Sequence, residues 1–89
     1  GHLVQPPMAL PVTLRKVDET PRYCLYDLGA EDTVAGRVKL YKASGDVEVV
    51  RLSGEGVPAG PPFYLAQGVP RLRTYCERDR YPDEDTWTA

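Results

Sequence analysis

Arg37-Val-Lys-Leu-Tyr-Lys-Ala43, the pair Ser44-Gly45, and Asp46-Val-Glu-Val-Val-Arg-Leu-Ser53 read together as a β-hairpin. Two runs rich in β-branched and aromatic residues flank a Gly-containing pair, the usual pattern of a two-residue turn. With Ala43 opposite Asp46, Lys42 faces Val47, Leu40 faces Val49 and Val38 faces Arg51. The alternate positions pair Tyr41 with Glu48, Lys39 with Val50 and Arg37 with Leu52. Cross-strand partners share a face, so Val38, Leu40, Val47 and Val49 gather on one side. The other side carries Tyr41, Val50 and Leu52 among Arg37, Lys39 and Glu48. An apolar centre inside a charged margin is the anatomy of a protein-binding patch. Tyr41, Val50, Leu52, Lys39 and Glu48 are therefore candidate interaction residues, the alternative being that the chain's own helix covers that face.

Outward from the hairpin, Val12–Asp18 alternates as a first strand and Arg22–Leu28 as a second, with Thr20-Pro21 breaking between them. Both faces of the second strand are largely apolar, so cover on both sides is expected. Gly29–Gly36 reads as a polar connection and Ser53–Pro62 as a Gly/Pro-rich loop. Five residues, Phe63–Gln67, are too few for periodicity to separate strand from helix. From Val69 to Arg80 the spacing is helical, with Val69, Leu72, Tyr75 and Cys76 on one face, Pro70 in the first turn and Pro82 as the stop. Strand signals followed by one helix signal imply an α+β domain. The expected fold is an antiparallel sheet of four to five short strands with one C-terminal helix packed on it. A small SH3-like β-barrel with an appended helix is the alternative, favoured if 63–67 is a strand.

The domain reading is correspondingly simple. Gly1-His2 reads as a tag remnant, 3–11 as an irregular proline-broken segment, 12–81 as a single α+β domain, and 82–89 as an acidic tail anchored by Trp87. Leu3 in place of methionine points to a domain cut from a longer protein or to a variant start. Eighty-nine residues allow one compact unit, and a domain of this size buries only about 60% of its unfolded surface. The chain lacks Ile and Asn, and eight Arg stand against three Lys. Codon composition makes a GC-rich, bacterial genome the simplest source of that bias.

Several chemistries drop out. Thirteen acidic against eleven basic residues leave a net charge of −2, which argues against neutralising nucleic-acid phosphates. The longest uncharged stretch, Leu3–Leu14, holds twelve residues and three prolines, whereas a membrane-spanning helix needs about 20 apolar ones. His2 is the lone histidine, so without the tag no Ser–His–Asp or Cys–His site can be assembled. Cys24 and Cys76 stand far apart in no metal-like spacing, so no metal or cofactor is implied. With no secretion signal in view, both are expected to be reduced, in the cytoplasm.

Weaker motifs have bland explanations. Gly54, Gly56 and Gly60 superficially suggest a phosphate-binding turn, but Pro58, Pro61 and Pro62 interrupt it and no βαβ unit surrounds it. Asp83-x-Asp85 and Glu31-Asp32 lack the further ligands of a calcium loop. On a helical wheel Arg71 and Arg78 lie on one flank of the apolar stripe, and Arg73 and Arg80 on the other. Split flanks suit core-edge arginines better than a nucleic-acid stripe. The sequence thus favours a non-catalytic interaction module that binds a protein partner or forms a homodimer. A small-molecule or enzymatic pocket near the 53–62 loop comes second, and nucleic-acid binding through the helix arginines third.

Overall fold

The computed structural model describes residues 9–89, so Gly1-His2 and most of the 3–11 segment lie outside the described residues. The element order is β1 (Pro11–Glu19), β2 (Tyr23–Gly29), β3 (Val34–Tyr41), β4 (Val47–Leu52), α1 (Pro61–Arg78) and β5 (Glu84–Thr88). The strands form one antiparallel sheet in the order β4-β3-β2-β1-β5. This is the α+β class expected. The sheet stays open, with β4 and β5 as its edges, so the barrel alternative does not apply.

Period-two alternation chooses the core face. Val12 and Leu14 of β1, Cys24, Tyr26 and Leu28 of β2, and Val38 and Leu40 of β3 are all buried on one side. Helix α1 supplies the cover with Tyr64, Gly68, Leu72 and Tyr75, spaced i, i+4, i+8 and i+11 along one stripe. A Cβ on Gly68 would sit 2.8 Å from a Leu28 methyl, so the glycine sets how closely helix and sheet approach. The opposite sheet face has no covering element among the described residues. Tyr23 and Leu25 on that face are only half-buried, so among the described residues β2 is covered on one side and not on the two expected.

The helix differs from expectation at its start. It begins at Pro61, with Pro61 and Pro62 in the first turn, so residues 63–67 are helical and Pro70 stands inside the helix on its exposed side. Proline is suited to the first turn, while interior Pro removes a hydrogen bond. Burial of Tyr64 and Gly68 against the sheet holds a segment whose local composition argues for a loop. It also moves the contact stripe, placing Tyr75 within the interface and leaving Val69 and Cys76 half-buried. At the other end Asp79 adopts a left-handed conformation (φ 51°). The Asp79 N–H donates to the Cys76 carbonyl and the Arg80 N–H to that of Tyr75, a Schellman stop reinforced by Pro82.

Two other segments are corrected. Pro11 already belongs to β1, and Leu10 exchanges backbone hydrogen bonds with Ala89. Glu84–Thr88, expected as part of an acidic tail anchored by Trp87, is a fifth strand on β1 with Trp87 opposite Val12, packed at the core margin, and Asp85 opposite Leu14. Asp85 accepts a hydrogen bond from the Tyr75 hydroxyl, and Trp87 is held by Gln67 at 3.3 Å.

Leu72 is fully buried on the contact stripe. Leu72→Ala should therefore cost about 2–5 kcal/mol through lost transfer energy and a residual cavity, measurable by chemical denaturation.

Candidate interaction surface

The β3–β4 hairpin forms, but its turn and register differ from the two-residue reading. Tyr41 N–H donates to the Asp46 carbonyl and Gly45 N–H to the Tyr41 carbonyl, at 2.9 and 2.8 Å. The turn therefore occupies residues 42–45, with Gly45 at φ +76°. Leu40 now faces Val47, Lys39 faces Glu48 and Val38 faces Val49. Beyond a bulge, Arg37 faces Arg51 and Gly36 faces Leu52. Val50 is the extra residue of that bulge, and one inserted residue reverses which side every later side chain takes.

The five candidate residues are consequently divided. Lys39, Tyr41 and Glu48 share the open face with Tyr23. The Lys39 ammonium lies 4.1 Å from the Tyr23 ring centre and 5.4 Å from that of Tyr41, and Tyr41 donates to Glu48 at 3.1 Å. Val50 sits at the bulge. Leu52 lies on the helix side, where its methyl carbon would come within 2.9 Å of a Cβ on Gly36. What the five share is the β3–β4 hairpin at one end of the sheet and not one face.

That edge is unusually apolar. Val49, Val50 and Leu52 are 45, 52 and 48% exposed, and no strand among the described residues pairs with the outer side of β4. The opposite edge, β5, carries Glu84 and Asp85 and follows Pro82. Charge and proline are the usual means of discouraging strand pairing. Elsewhere the open face satisfies itself: Arg37 grips Asp27 through two bonds of 2.7 and 3.2 Å, and Arg15 meets Glu84 at 3.0 Å.

The helix arginines do not form a common surface. Arg71 lies 4.2 Å over the Trp87 ring and 3.4 Å from the Asp85 carboxylate. Arg80 lies beyond the helix end and joins Arg71 and Arg78 around a hollow that also holds Glu84 and Asp85. Arg73 borders a different hollow, with Lys42, Cys76 and Glu77. The wheel separated Arg80 from Arg71 and Arg78 because it carried the helix past its actual stop. None of these hollows is lined by the 53–60 connection, whose Val57 and Ala59 pack against the core margin.

A polar cluster that sequence reasoning missed closes the other end of the core. A bulge at Val17 puts Lys16 opposite Tyr26 and Glu19 opposite Cys24, so both charged residues join the helix side of the sheet. Lys16 bonds Glu19 at 2.7 Å and the Tyr81 carbonyl at 2.8 Å, and lies 3.2 Å from Asp83. Lys42 reaches Glu19 at 2.6 Å and stands over the Tyr81 ring. Tyr26 donates to the Pro82 carbonyl at 2.7 Å. Every shift here favours the resting form of the group. Hydrogen bonds from Lys16 and then Lys42 hold the Glu19 carboxyl at about 2. The bond to Glu19 raises Lys16, and burial pushes the Cys24 thiol up to about 11 and Tyr26 upward as well. A protonated lysine and a protonated thiol are not nucleophiles. Cys24 and Cys76 are not joined by a disulfide. The described residues hold no group of three or more His, Cys, Asp or Glu that could bind a metal, and no helix long and apolar enough to cross a membrane.

No family model, curated protein or solved structure matches the chain.

The Glu19 carboxyl is ionised in the fold well below its ordinary value of 4.5. Its contribution is thus complete above about pH 4.5 and lost as pH falls towards about 2. Glu19→Gln should be less stable than the parent at neutral pH, and the difference should shrink across that window in denaturation curves taken at successive pH values.

Proposed function

We propose that this protein is a non-catalytic interaction module that binds an extended polypeptide by strand addition at β4. The observation that carries the proposal is an apolar edge strand, Val47–Leu52, with its outer side unpaired among the described residues. An added strand gains main-chain hydrogen bonds from such an edge and side-chain contacts at alternate positions. The exposed valines and Leu52 provide those contacts, while Tyr41, Lys39 and Glu48 supply a polar margin on the open face. Resting protonation states around Cys24 and Lys16 fit a module without catalysis. The free thiols fit the reducing, cytoplasmic setting expected from the sequence.

The two competing readings have less support. The 53–60 connection spends its apolar residues on the core, which leaves little for a pocket there. The arginines of α1 are divided between hollows and mixed with carboxylates, so they lack the continuous basic stripe that a phosphate backbone requires.

A random peptide library selected on the parent protein and counter-selected on Val49→Lys tests the proposal. Recovered peptides should be extended and rich in β-branched residues, and amide shifts on binding should concentrate in β4 and β3. Recovery only of peptides that perturb α1 or β5 would overturn it.

A further inference from the structure

Val47-Glu-Val-Val-Arg-Leu52 is self-complementary when run antiparallel to itself, because Val47 then meets Leu52, Glu48 meets Arg51 and Val49 meets Val50. In a regular strand this register is forbidden. Residues opposite one another across a two-fold axis normal to the sheet must share a face, and Glu48 and Arg51, three apart, would ordinarily point to opposite sides. The bulge at Val50 removes the conflict. Pairing with Lys39 and Arg37 puts both Glu48 and Arg51 on the open face, and pairing with Leu40 and Gly36 puts both Val47 and Leu52 on the helix side. A bulge often serves to protect an edge; here it makes the face pattern of the edge symmetric about its centre.

The charges of β4 also lack a full complement within one chain. Arg51 stands directly across from Arg37, a like-charge pair that weakens a ladder, and Arg37 is already committed to Asp27. Arg51 makes no ion pair among the described residues, and Glu48 is engaged there only by the Tyr41 hydroxyl, since its cross-strand neighbour Lys39 lies over the Tyr23 and Tyr41 rings.

We infer that the occupant of the β4 edge is a second copy of this chain, paired antiparallel about Val49–Val50 with Glu48 of each copy opposite Arg51 of the other. The result is a continuous ten-stranded sheet with both helices on the same face. Val47, Val49 and Leu52 of the two copies close the apolar strip between the helices, and each Arg51 gains a carboxylate beside the like charge it already faces. This inference rests on β4 being the docking edge. A six-residue edge is at the small end of interface sizes, so association belongs at about 10 µM to 1 mM and not at nanomolar concentration.

Sedimentation equilibrium on four samples decides it: the parent, Glu48→Arg, Arg51→Glu, and an equimolar mixture of the two variants, each checked by circular dichroism. The parent should dimerise. Each variant alone sets like charges opposite one another and should associate about tenfold more weakly or worse. The mixture should recover heterodimer, because every cross-copy pair is again of opposite sign. Amide exchange on the parent gives a readout independent of the variants: protection of Val47–Leu52 should rise with protein concentration. A dimer indifferent to the charge reversals, or a mixture that fails to recover, would overturn this register. A parent that remains monomeric at about 1 mM, with β4 exchange independent of concentration, would remove the second copy as the occupant. The peptide selection would still decide separately whether β4 is a docking edge at all.

Discussion

One helix cannot cover five strands. Neighbouring strands lie about 4.8 Å apart, so four spacings make a sheet about 19 Å wide, whereas a helix with its side chains is about 10–12 Å across. The single helix here lies along the middle of the sheet, where Leu72, Gly68 and Tyr75 meet the buried residues of β1, β2 and β3. The edges must then be managed by other means. On the β5 side Trp87, Gln67, Arg71 and Asp85 extend the cover with a stacked and hydrogen-bonded group. On the β4 side Val47 reaches the core margin, but Val49 and Leu52 do not. The exposed apolar edge is a geometric consequence of one helix on a wide sheet.

Two of the bulges in the sheet, at Val17 and Val50, matter as much as the helix. Each inserts one residue and places on one face a pair of charged residues three positions apart. At Val17 the pair is Lys16 and Glu19, both turned to the helix side, where Lys42, Tyr81 and Asp83 complete a charged clasp over the core end. At Val50 the pair is Glu48 and Arg51, both turned to the open face. The first pair is satisfied within the chain through short bonds to its neighbours. The second lies at an edge with a like charge across from Arg51. Lys16 and Glu19 are ion-paired within the chain, whereas Arg51 makes no ion pair among the described residues, and that difference supports the proposal of a docking edge at β4.

Much of the sheet was legible because β-branched and aromatic residues alternate over strands long enough to count. Val12 and Leu14, the Cys24, Tyr26 and Leu28 series, and Val38 with Leu40 fall on one face by simple period two. The start of α1 was not legible. Pro58, Pro61, Pro62, Gly68 and Pro70 are local signals for a break, and only burial of Tyr64 and Gly68 against the sheet outweighs them. Nor was β5, since Glu-Asp-Thr-Trp-Thr is too short to show alternation and its acidic start resembles solvated chain. At the candidate edge, Tyr41, Lys39, Glu48, Val50 and Leu52 were recognised as a group, but their division between faces was not.

The sequence by itself determined the class of the fold, the hairpin and the presence of a C-terminal helix, because those depend on composition and on repeats of two and of three to four residues. Tertiary structure alone decided the turn length at 42–45, the bulges at Val17 and Val50, the strand at 84–88 and the lack of a partner on the outer side of β4 among the described residues. A bulge is a choice between registers that differ by one residue, and nothing local to Val17 or Val50 separates them. The choice is made by which register lets Leu40 and Tyr26 lie under the helix, a contact between residues far apart in the chain.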